Sequence, residues 1–192
     1  DEPSVKFFCK KNFDWIFIIG WSQIVNEKIL NSAKFGVIGA HPTLLPEGRG
    51  RASIPWAILK GLKKTGVSFF KMDKGVDTGK IIHKETIKLV QNENATTLYE
   101  KVKSAHGLGI FKIIPNLKSC NLSFVSQDEN KATYWVGRKP EDGLIDLYGS
   151  VFDAEKLIRA TTKPYPGAYF IKDDKKTIVW KASLLNKNEF DK

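Results

Sequence analysis

A histidine and an aspartate, His41 and Asp77, are the residues of this chain whose types and surroundings best suit chemistry. Pro42 biases His41 toward extended backbone, and Gly75 and Gly79 flank Asp77 in a segment that must bend sharply. An imidazole and a carboxylate that loops aim at one point can move a proton to and from a reacting amine or alkoxide, because the carboxylate orients and stabilises the imidazolium. The two residues therefore indicate acid–base catalysis.

The same residues also permit structural interpretations. A loop histidine such as His41 can cap a backbone group, and an aspartate followed by Thr-Gly, as Asp77 is, has a composition common in turns. His83 and His106 are predicted to lie on a strand and on a helix, where structural roles are more common than catalytic ones. We therefore take only His41 and Asp77 as candidate catalytic residues.

Buried strands are predicted to position both candidates. Residues 15–20 and 36–39 are short apolar runs typical of strands in a parallel sheet, and the second run delivers His41 at its carboxyl end, the edge where open α/β sheets bind ligands. Alternating segments at 66–72 and 79–89 predict strands on either side of Asp77. We expect the two side chains to face one cleft, within reach of a direct or water-mediated hydrogen bond.

Helical periodicity accounts for most of the remaining chain. A short helix is predicted through Ile29 and Leu30, another over residues 53–61, and a third near residues 153–161. The longest, over residues 96–117, is expected to begin at Thr96 or Thr97. Its core-facing residues are predicted to be Leu98, Val102, Ala105, Leu108 and Ile113. Residues 168–180 predict a β-hairpin.

Four short motifs resemble, in order and spacing, the 10-formyltetrahydrofolate-dependent formyltransferases. They are His-Pro-Thr-Leu-Leu-Pro at 41–46, Arg-Gly-Arg at 49–51, Thr-Gly-Val at 65–67 and Gly-Val-Asp-Thr-Gly at 75–79. The family includes methionyl-tRNA formyltransferase, the sugar N-formyltransferases and, more distantly, glycinamide ribonucleotide transformylase. The resemblance extends from about Trp15 to about Lys181.

This resemblance implies an α/β fold with two parts. Residues 1–125 are expected to form a Rossmann-like, three-layer catalytic domain with a mainly parallel sheet, and residues 126–192 a linker and a small β-rich C-terminal domain. Few residues precede Trp15, so the catalytic domain is expected to lack its amino-terminal part, either as a fragment or as a shortened gene product. An unpaired sheet edge would then favour a homo-oligomer that covers it.

The chemistry implied by the resemblance is transfer of a formyl group from 10-formyltetrahydrofolate, the co-substrate in this part of one-carbon metabolism, to a primary amine. By resemblance, His41 is the oxyanion donor or proton relay, and Asp77 sets its charge and helps to move the proton. No metal is implied. The family's third catalytic residue, an asparagine two places before the histidine, is replaced by Gly39.

The replacement at Gly39 leaves three explanations open. A backbone N–H or a water fills the place of the missing donor, a side chain such as Ser22 or Gln23 does so, or the protein is a weak or inactive relative. The last explanation includes a folate-binding relative without catalysis.

Cofactor-binding and substrate-binding residues are also implied by the resemblance. One side of the pterin is expected to rest on the loop formed by Gly20, Trp21, Ser22, Gln23 and Ile24. The other side is expected to meet Asp73, Gly75, Val76 and Thr78. Arg49 and Arg51 are expected to bind a phosphate or carboxylate, or else to be solvated loop arginines. Trp21 has the alternative of a core aromatic.

The acceptor is less constrained. An arginine after the glycine, as in Arg49-Gly50-Arg51, is more similar to the nucleotide-sugar enzymes than to the tRNA enzymes, so we favour a nucleotide-linked amino sugar over aminoacylated initiator tRNA. The net charge of +10 fits RNA, a phosphorylated substrate or an acidic cofactor, but scattered lysines also fit an ordinary basic surface.

Composition excludes several other classes of protein. No apolar run approaches the ~20 residues of a membrane span, and the first residues do not form a signal peptide, which predicts a soluble, cytoplasmic protein. Hydrophobic residues make up 42% of the chain, as in globular domains. Cys9 and Cys120 are too few and too far apart to predict a disulfide framework or a zinc site.

Overall fold

A four-stranded sheet with helices on both faces forms the centre of the computed structural model, which describes residues 2–119 and 121–184. The strands are β1 (Trp15–Ile19), β2 (Gly36–His41), β3 (Arg49–Gly50), β4 (Lys64–Lys71), β5 (Ile81–Lys88), β6 (Tyr134–Trp135), β7 (Ala168–Lys172) and β8 (Lys175–Val179). The α-helices are α1 (Glu2–Lys10), α2 (Glu27–Leu30), α3 (Ser53–Leu59), α4 (Ala95–Lys118) and α5 (Val151–Thr161). Short 3₁₀ helices cover Glu129–Lys131 and Pro140–Gly143.

The sheet has the strand order β1-β2-β4-β5. Strands β1 and β2 are parallel, whereas β4 runs antiparallel to both β2 and β5. The α/β fold class is as predicted, but the sheet described here is mixed, with one parallel pair. The short loop between β4 and β5 accounts for the antiparallel direction of that pair, because a connection without a crossover helix returns the chain antiparallel. The β2–β4 pair is antiparallel although its connection contains α3.

Alternating residues of β2 face the two helical layers. Ile38 is fully buried in the main core against α3 and α4, whereas Val37 belongs to a smaller cluster with residues of α1 and α2. Since side chains alternate along a strand, Gly39 and His41 lie on the same face as Val37. The candidate catalytic histidine therefore lies on the face opposite to α3 and α4, at the carboxyl end of β2.

A capping box fixes the start of helix α4 at Ala95. Asn94 is the N-cap, and its side chain and that of Thr97 satisfy each other's backbone N–H groups. The predicted core residues are buried except Leu108, which is 57% exposed, so that assignment is wrong. Gly109 occupies the core position instead: steps of four and three residues from Leu98 lead to it, and the Phe69 ring packs against its backbone.

The predicted C-terminal hairpin is formed by β7 and β8. It packs with α5 around Ile145, Ile158 and Ala168. Ala160 of α5 belongs to the main core, so this helix joins the small cluster to that core.

Other features of the described residues bear on the sequence expectations. No helix within residues 2–119 and 121–184 combines the length and apolarity of a membrane span. Cys9 is an exposed free thiol, and Cys120 lies outside the described residues. Strand β1 forms one edge of the described sheet, and its coverage by a second copy stays a prediction.

Candidate active site

His41 and Asp77 are brought together at the carboxyl end of β2, as predicted. The Nδ1 atom of His41 lies 3.4 Å from Oδ2 of Asp77, and only 10% and 18% of the two side chains are exposed. On its other side, Nε2 of His41 is 2.8 Å from the carbonyl oxygen of Gly48. The separation is short enough for both groups to act on one proton.

The partner of Nε2 determines which atoms of His41 carry hydrogen. The carbonyl of Gly48 can only accept a hydrogen bond, so Nε2–H is the donor. Nδ1 then faces the Asp77 carboxylate, where it is either protonated or an unprotonated acceptor. A proton taken up at either atom would lie between Nδ1 and Oδ2, because two unprotonated acceptors that face each other repel. The pair is therefore suited to hold one transferable proton.

Backbone geometry fixes the Asp77 carboxylate. Asp77 has a left-handed φ of 56°, and its Oδ2 accepts a 2.9 Å hydrogen bond from the N–H of Gly50. Gly50 itself has φ 105°, and a Cβ there would lie 2.5 Å from the carbonyl oxygen of Trp135. Only glycine fits this position, which brings the N–H to the carboxylate. The other oxygen, Oδ1, makes no hydrogen bond with the residues that the structure describes.

Arg49 has a structural role, which corrects its prediction as a substrate-binding or solvated arginine. Its side chain is fully buried, and the guanidinium donates five hydrogen bonds to Gln127, Glu129 and Tyr134. A guanidinium has five N–H donors, so none remains for a ligand. These bonds, with those to Glu129 foremost, raise the pKa of Arg49 above its ordinary value. Arg51, by contrast, is exposed.

Gln127 links Arg49 to the loop of Asp77. Its Oε1 accepts from Nε and Nη2 of Arg49 at 3.2 and 2.9 Å. Its Nε2 donates to the carbonyl oxygens of Asp77 and Gly79, both at 2.8 Å. Sequence reasoning missed Gln127 and Glu129, because the polar stretch 126–131 has only the composition of a linker. No local signal marks these contacts.

A cavity of about 420 Å³ lies between α2 and residues 71–74. Of the predicted cofactor-binding residues, Asp73 lines it. Sequence reasoning missed Leu30, Met72 and Lys74, which line it as well. Oδ1 of Asp73 also accepts hydrogen bonds from the N–H of Gly75 and the hydroxyl of Thr78, which shape the loop that leads to Asp77.

The other predicted pterin-binding residues do not line this cavity. Gly20, Trp21, Ser22, Gln23 and Ile24 are all exposed, on the loop that follows β1. Trp21 is 62% exposed, which excludes the alternative of a core aromatic within the described chain. Val76 is also exposed, at 48%. A folate-binding role for these residues stays a prediction.

Gly39 has no room for a larger residue unless its neighbours move. A Cβ at this position would lie 2.9 Å from Cγ of Met72 and 3.0 Å from Cζ of Phe70. Met72, which lines the cavity, therefore fills the space that a side chain at position 39 would need. Ser22 and Gln23, the side chains considered as replacement donors, are both exposed, so neither is buried beside Gly39.

The remaining histidines are held in structural contacts, as predicted. His83 lies 2.5 Å from Oε1 of Glu85, which also pairs with Lys112. His106 donates from Nδ1 to the carbonyl of Val102, and burial lowers its pKa. Within residues 2–119 and 121–184, no three His, Cys, Asp or Glu side chains are grouped so as to hold a metal ion.

Comparisons with known proteins agree with this fold. The family model described as "Formyl transferase" matches residues 4–114, and "Formyl transferase, C-terminal domain" matches residues 138–192. A 4-N formyltransferase from Francisella tularensis is 25% identical over 96% of this chain and 76% of that one, with a TM-score of 0.80. Methionyl-tRNA formyltransferase from Clostridium thermocellum is 28% identical over 91% and 74%, with a TM-score of 0.71.

A more distant structure shares the fold. HypX from Aquifex aeolicus, solved in complex with tetrahydrofolic acid, is 17% identical over 93% of this chain and 30% of that one, with a TM-score of 0.78. At this level of identity the likeness shows the fold alone.

Proposed function

The chain belongs to the formyl transferase family and is a formyltransferase, and on this premise we propose that it transfers the formyl group of 10-formyltetrahydrofolate to the primary amine of a nucleotide-linked sugar. The observation that carries the proposal is the contact of His41 with Asp77 at the end of β2. Each residue has a partner that orients it, Gly48 for the histidine and Gly50 for the aspartate.

The reaction needs a proton to move while the formyl carbon changes partners. The bond from this carbon to the folate nitrogen breaks, a bond to the acceptor amine forms, and one amine proton passes to the folate nitrogen. Oδ1 of Asp77 is free to accept the amine proton, and the proton between Oδ2 and His41 can be returned to the leaving nitrogen. Because Nε2 is engaged by Gly48, it is not available as an oxyanion donor, which favours a role for His41 in holding and returning a proton through Nδ1.

The cavity beside Met72 suits the folate ring system. Its volume of about 420 Å³ falls within the range common for small-molecule sites, roughly 300–1,000 Å³. Leu30 and Met72 offer apolar surface, and Asp73 offers a carboxylate to the amino groups of a pterin. Asp73 lies on the same loop as Asp77, but Gly36, at the amino end of β2, also lines the cavity, so we propose that the folate extends along this loop to reach the catalytic pair.

Arg51 and a cluster of cationic and aromatic side chains around Trp56 support an anionic, ring-containing acceptor. Arg51 follows Gly50 directly and is exposed. The ammonium of Lys60 lies 5.6 Å from the centre of a Trp56 ring, and the Arg138 guanidinium lies 5.3 Å from it. Cationic groups and aromatic faces are the means by which proteins bind phosphates and bases. Such a surface fits a nucleotide-linked amino sugar.

Methionyl-tRNA is the second candidate acceptor. The net charge of +10 is compatible with tRNA, which is a polyanion, but a nucleotide-linked sugar is anionic as well, so the charge does not distinguish the two acceptors. A direct comparison of initial rates decides between them. The purified chain is supplied with 10-formyltetrahydrofolate and either a panel of nucleoside-diphosphate amino sugars or methionyl-tRNA. We expect turnover with a member of the sugar panel, and turnover with methionyl-tRNA alone would overturn the acceptor assignment.

A binding protein without catalysis gives a different result. Titration with a tetrahydrofolate analogue would then show binding, whereas neither acceptor would be formylated. We expect both binding and transfer, and Arg51→Ala should raise KM for the sugar acceptor more than KM for the folate. Lys175→Ala, in the β7–β8 hairpin, provides a matched removal of an exposed cation.

A further inference from the structure

Segment 126–131 is fixed to the catalytic loop by a chain of hydrogen bonds. Arg49 donates to Oε1 of Gln127, and Nε2 of Gln127 donates to the carbonyls of Asp77 and Gly79 at 2.8 Å. Glu129 receives two further N–H groups of Arg49, at 2.7 and 2.8 Å. These hydrogen bonds connect the buried guanidinium of Arg49, through Gln127, to the backbone of Asp77, the residue whose carboxylate contacts His41.

The Asp77 backbone depends on external support. Its left-handed φ of 56° is uncommon for a non-glycine residue, and such a conformation persists only where surrounding contacts hold it. Gln127, in segment 126–131, supplies two such contacts, since its Nε2 donates one hydrogen bond to the carbonyl of Asp77 and one to that of Gly79. The carboxylate of the same residue contacts Nδ1 of His41 and the Gly50 N–H. A shift of the carbonyl would therefore move Oδ2 relative to both partners.

We propose that Gln127, held by buried Arg49, is a positioning residue that keeps the Asp77 carboxylate aligned with His41. The inference rests on the proposed formyl transfer, for which that alignment is needed. Gln127 touches neither substrate nor the reacting atoms in this role. It acts through its amide N–H groups, while its amide oxygen serves only to bind Arg49.

Two substitutions separate these functions of the side chain. Gln127→Glu keeps the acceptor for Arg49 but loses the donors to the two carbonyls. Gln127→Met is similar in length and neutral, and it loses both the donors and the acceptor. The only loss that the two variants share is hydrogen bonding to the carbonyls of Asp77 and Gly79, so a common effect cannot be assigned to added charge or to a weakened Arg49 site.

The measurements are kcat and KM for both substrates, melting temperature and amide exchange at Gly50. The Gly50 N–H donates to Asp77 Oδ2, so its protection reports the position of the carboxylate directly. We expect kcat to fall about tenfold or more in both variants with KM within about twofold, because small misplacement of catalytic groups is costly. Gly50 exchange should accelerate in both. Lys131→Ala, with an exposed side chain in the same segment, should change none of these quantities.

Unchanged kcat and unchanged Gly50 protection in both variants would overturn the inference. A fall in kcat that occurs only in Gln127→Met, together with a lower melting temperature, would overturn it as well, because Gln127 would then have only a structural role. If the unsubstituted chain formylates no acceptor, the proposed function fails, whereas Gly50 exchange still decides whether Gln127 positions Asp77.

Discussion

The side chain of Met72 lies over Gly39, with Sδ only 3.2 Å from the place of a Cβ at that position. Gly39 and His41 share one face of β2, so a side chain at 39 would point toward the catalytic face. In relatives that carry an asparagine there, the amide was expected to serve as the oxyanion donor. Here the same space holds a thioether, which donates no hydrogen bond. A variant that restores an asparagine at position 39 therefore also needs a smaller residue in place of Met72.

Gly39→Asn alone is expected to lower kcat/KM, by about tenfold, because the new amide displaces Met72 from the cavity wall. The sequence alone predicts the opposite, that the substitution does not lower the rate and raises it by restoring an oxyanion donor, unless a backbone N–H or a water occupies that space. Gly39→Asn combined with Met72→Ala should be faster than the single variant, since the smaller residue makes room for the amide. Met72→Ala provides the matched background in steady-state assays. A single variant as fast as the parent chain would show that Met72 moves aside freely.

Asp77→Asn is expected to abolish most formyl transfer, with a loss of about 100-fold or more, because the amide cannot take a proton from the acceptor. Asparagine tolerates the left-handed backbone of this position, so the fold should be unchanged. Asp174→Asn, in the β7–β8 turn with φ 57°, is the matched control for the same substitution in the same conformation. Rates and melting temperatures are compared for both. Full activity in Asp77→Asn would exclude this carboxylate from proton transfer.

Arg49→Lys is expected to lower the free energy of unfolding by about 1–3 kcal/mol, because one ammonium cannot replace the five donors of a fully buried guanidinium. Urea titration measures the change. Arg51→Lys, two residues away and exposed, should alter stability by less than about 0.5 kcal/mol. Equal stability of the two variants would contradict the structural assignment of Arg49.

The sequence predicted the catalytic pair because its signals are local. Proline after His41 and glycines around Asp77 determine backbone geometry within a few residues, and the apolar run that ends at Gly39 predicts the strand that positions the histidine. The structure confirms that the two side chains meet. Their chemical roles stay predictions until rates are measured.

The burial of Arg49 could not be predicted in the same way. Its partners Gln127 and Glu129 lie 78 and 80 residues further along the chain, and nothing in an Arg-Gly-Arg motif shows which arginine is buried. Leu108 was assigned to the core by residue type, whereas the sheet surface at that point accepts only the small Gly109.

Glu93 should make stability depend on pH in the acid range. Its side chain is 3% exposed and accepts hydrogen bonds from Lys101, Thr97 and the N–H of Val90. Burial alone would raise the pKa of Glu93, but these bonds outweigh it and hold the pKa below its ordinary value of 4.5. A lowered pKa in the folded state means that the contribution to stability is present above the ordinary value and is lost as the pH falls through the folded value.

Glu93→Gln is therefore expected to be less stable than the parent chain at pH 7, by about 1–3 kcal/mol, because the amide loses the charged hydrogen bonds. The difference should narrow as the pH falls below about 4.5, where the carboxylate itself takes up a proton. Urea titrations at several pH values measure both effects. Glu100→Gln, which removes an exposed ion pair with Lys103 on the same helix, should show neither. A stability difference for Glu93→Gln that stays constant down to pH ~3 would refute the linkage, because an unperturbed carboxylate contributes no slope.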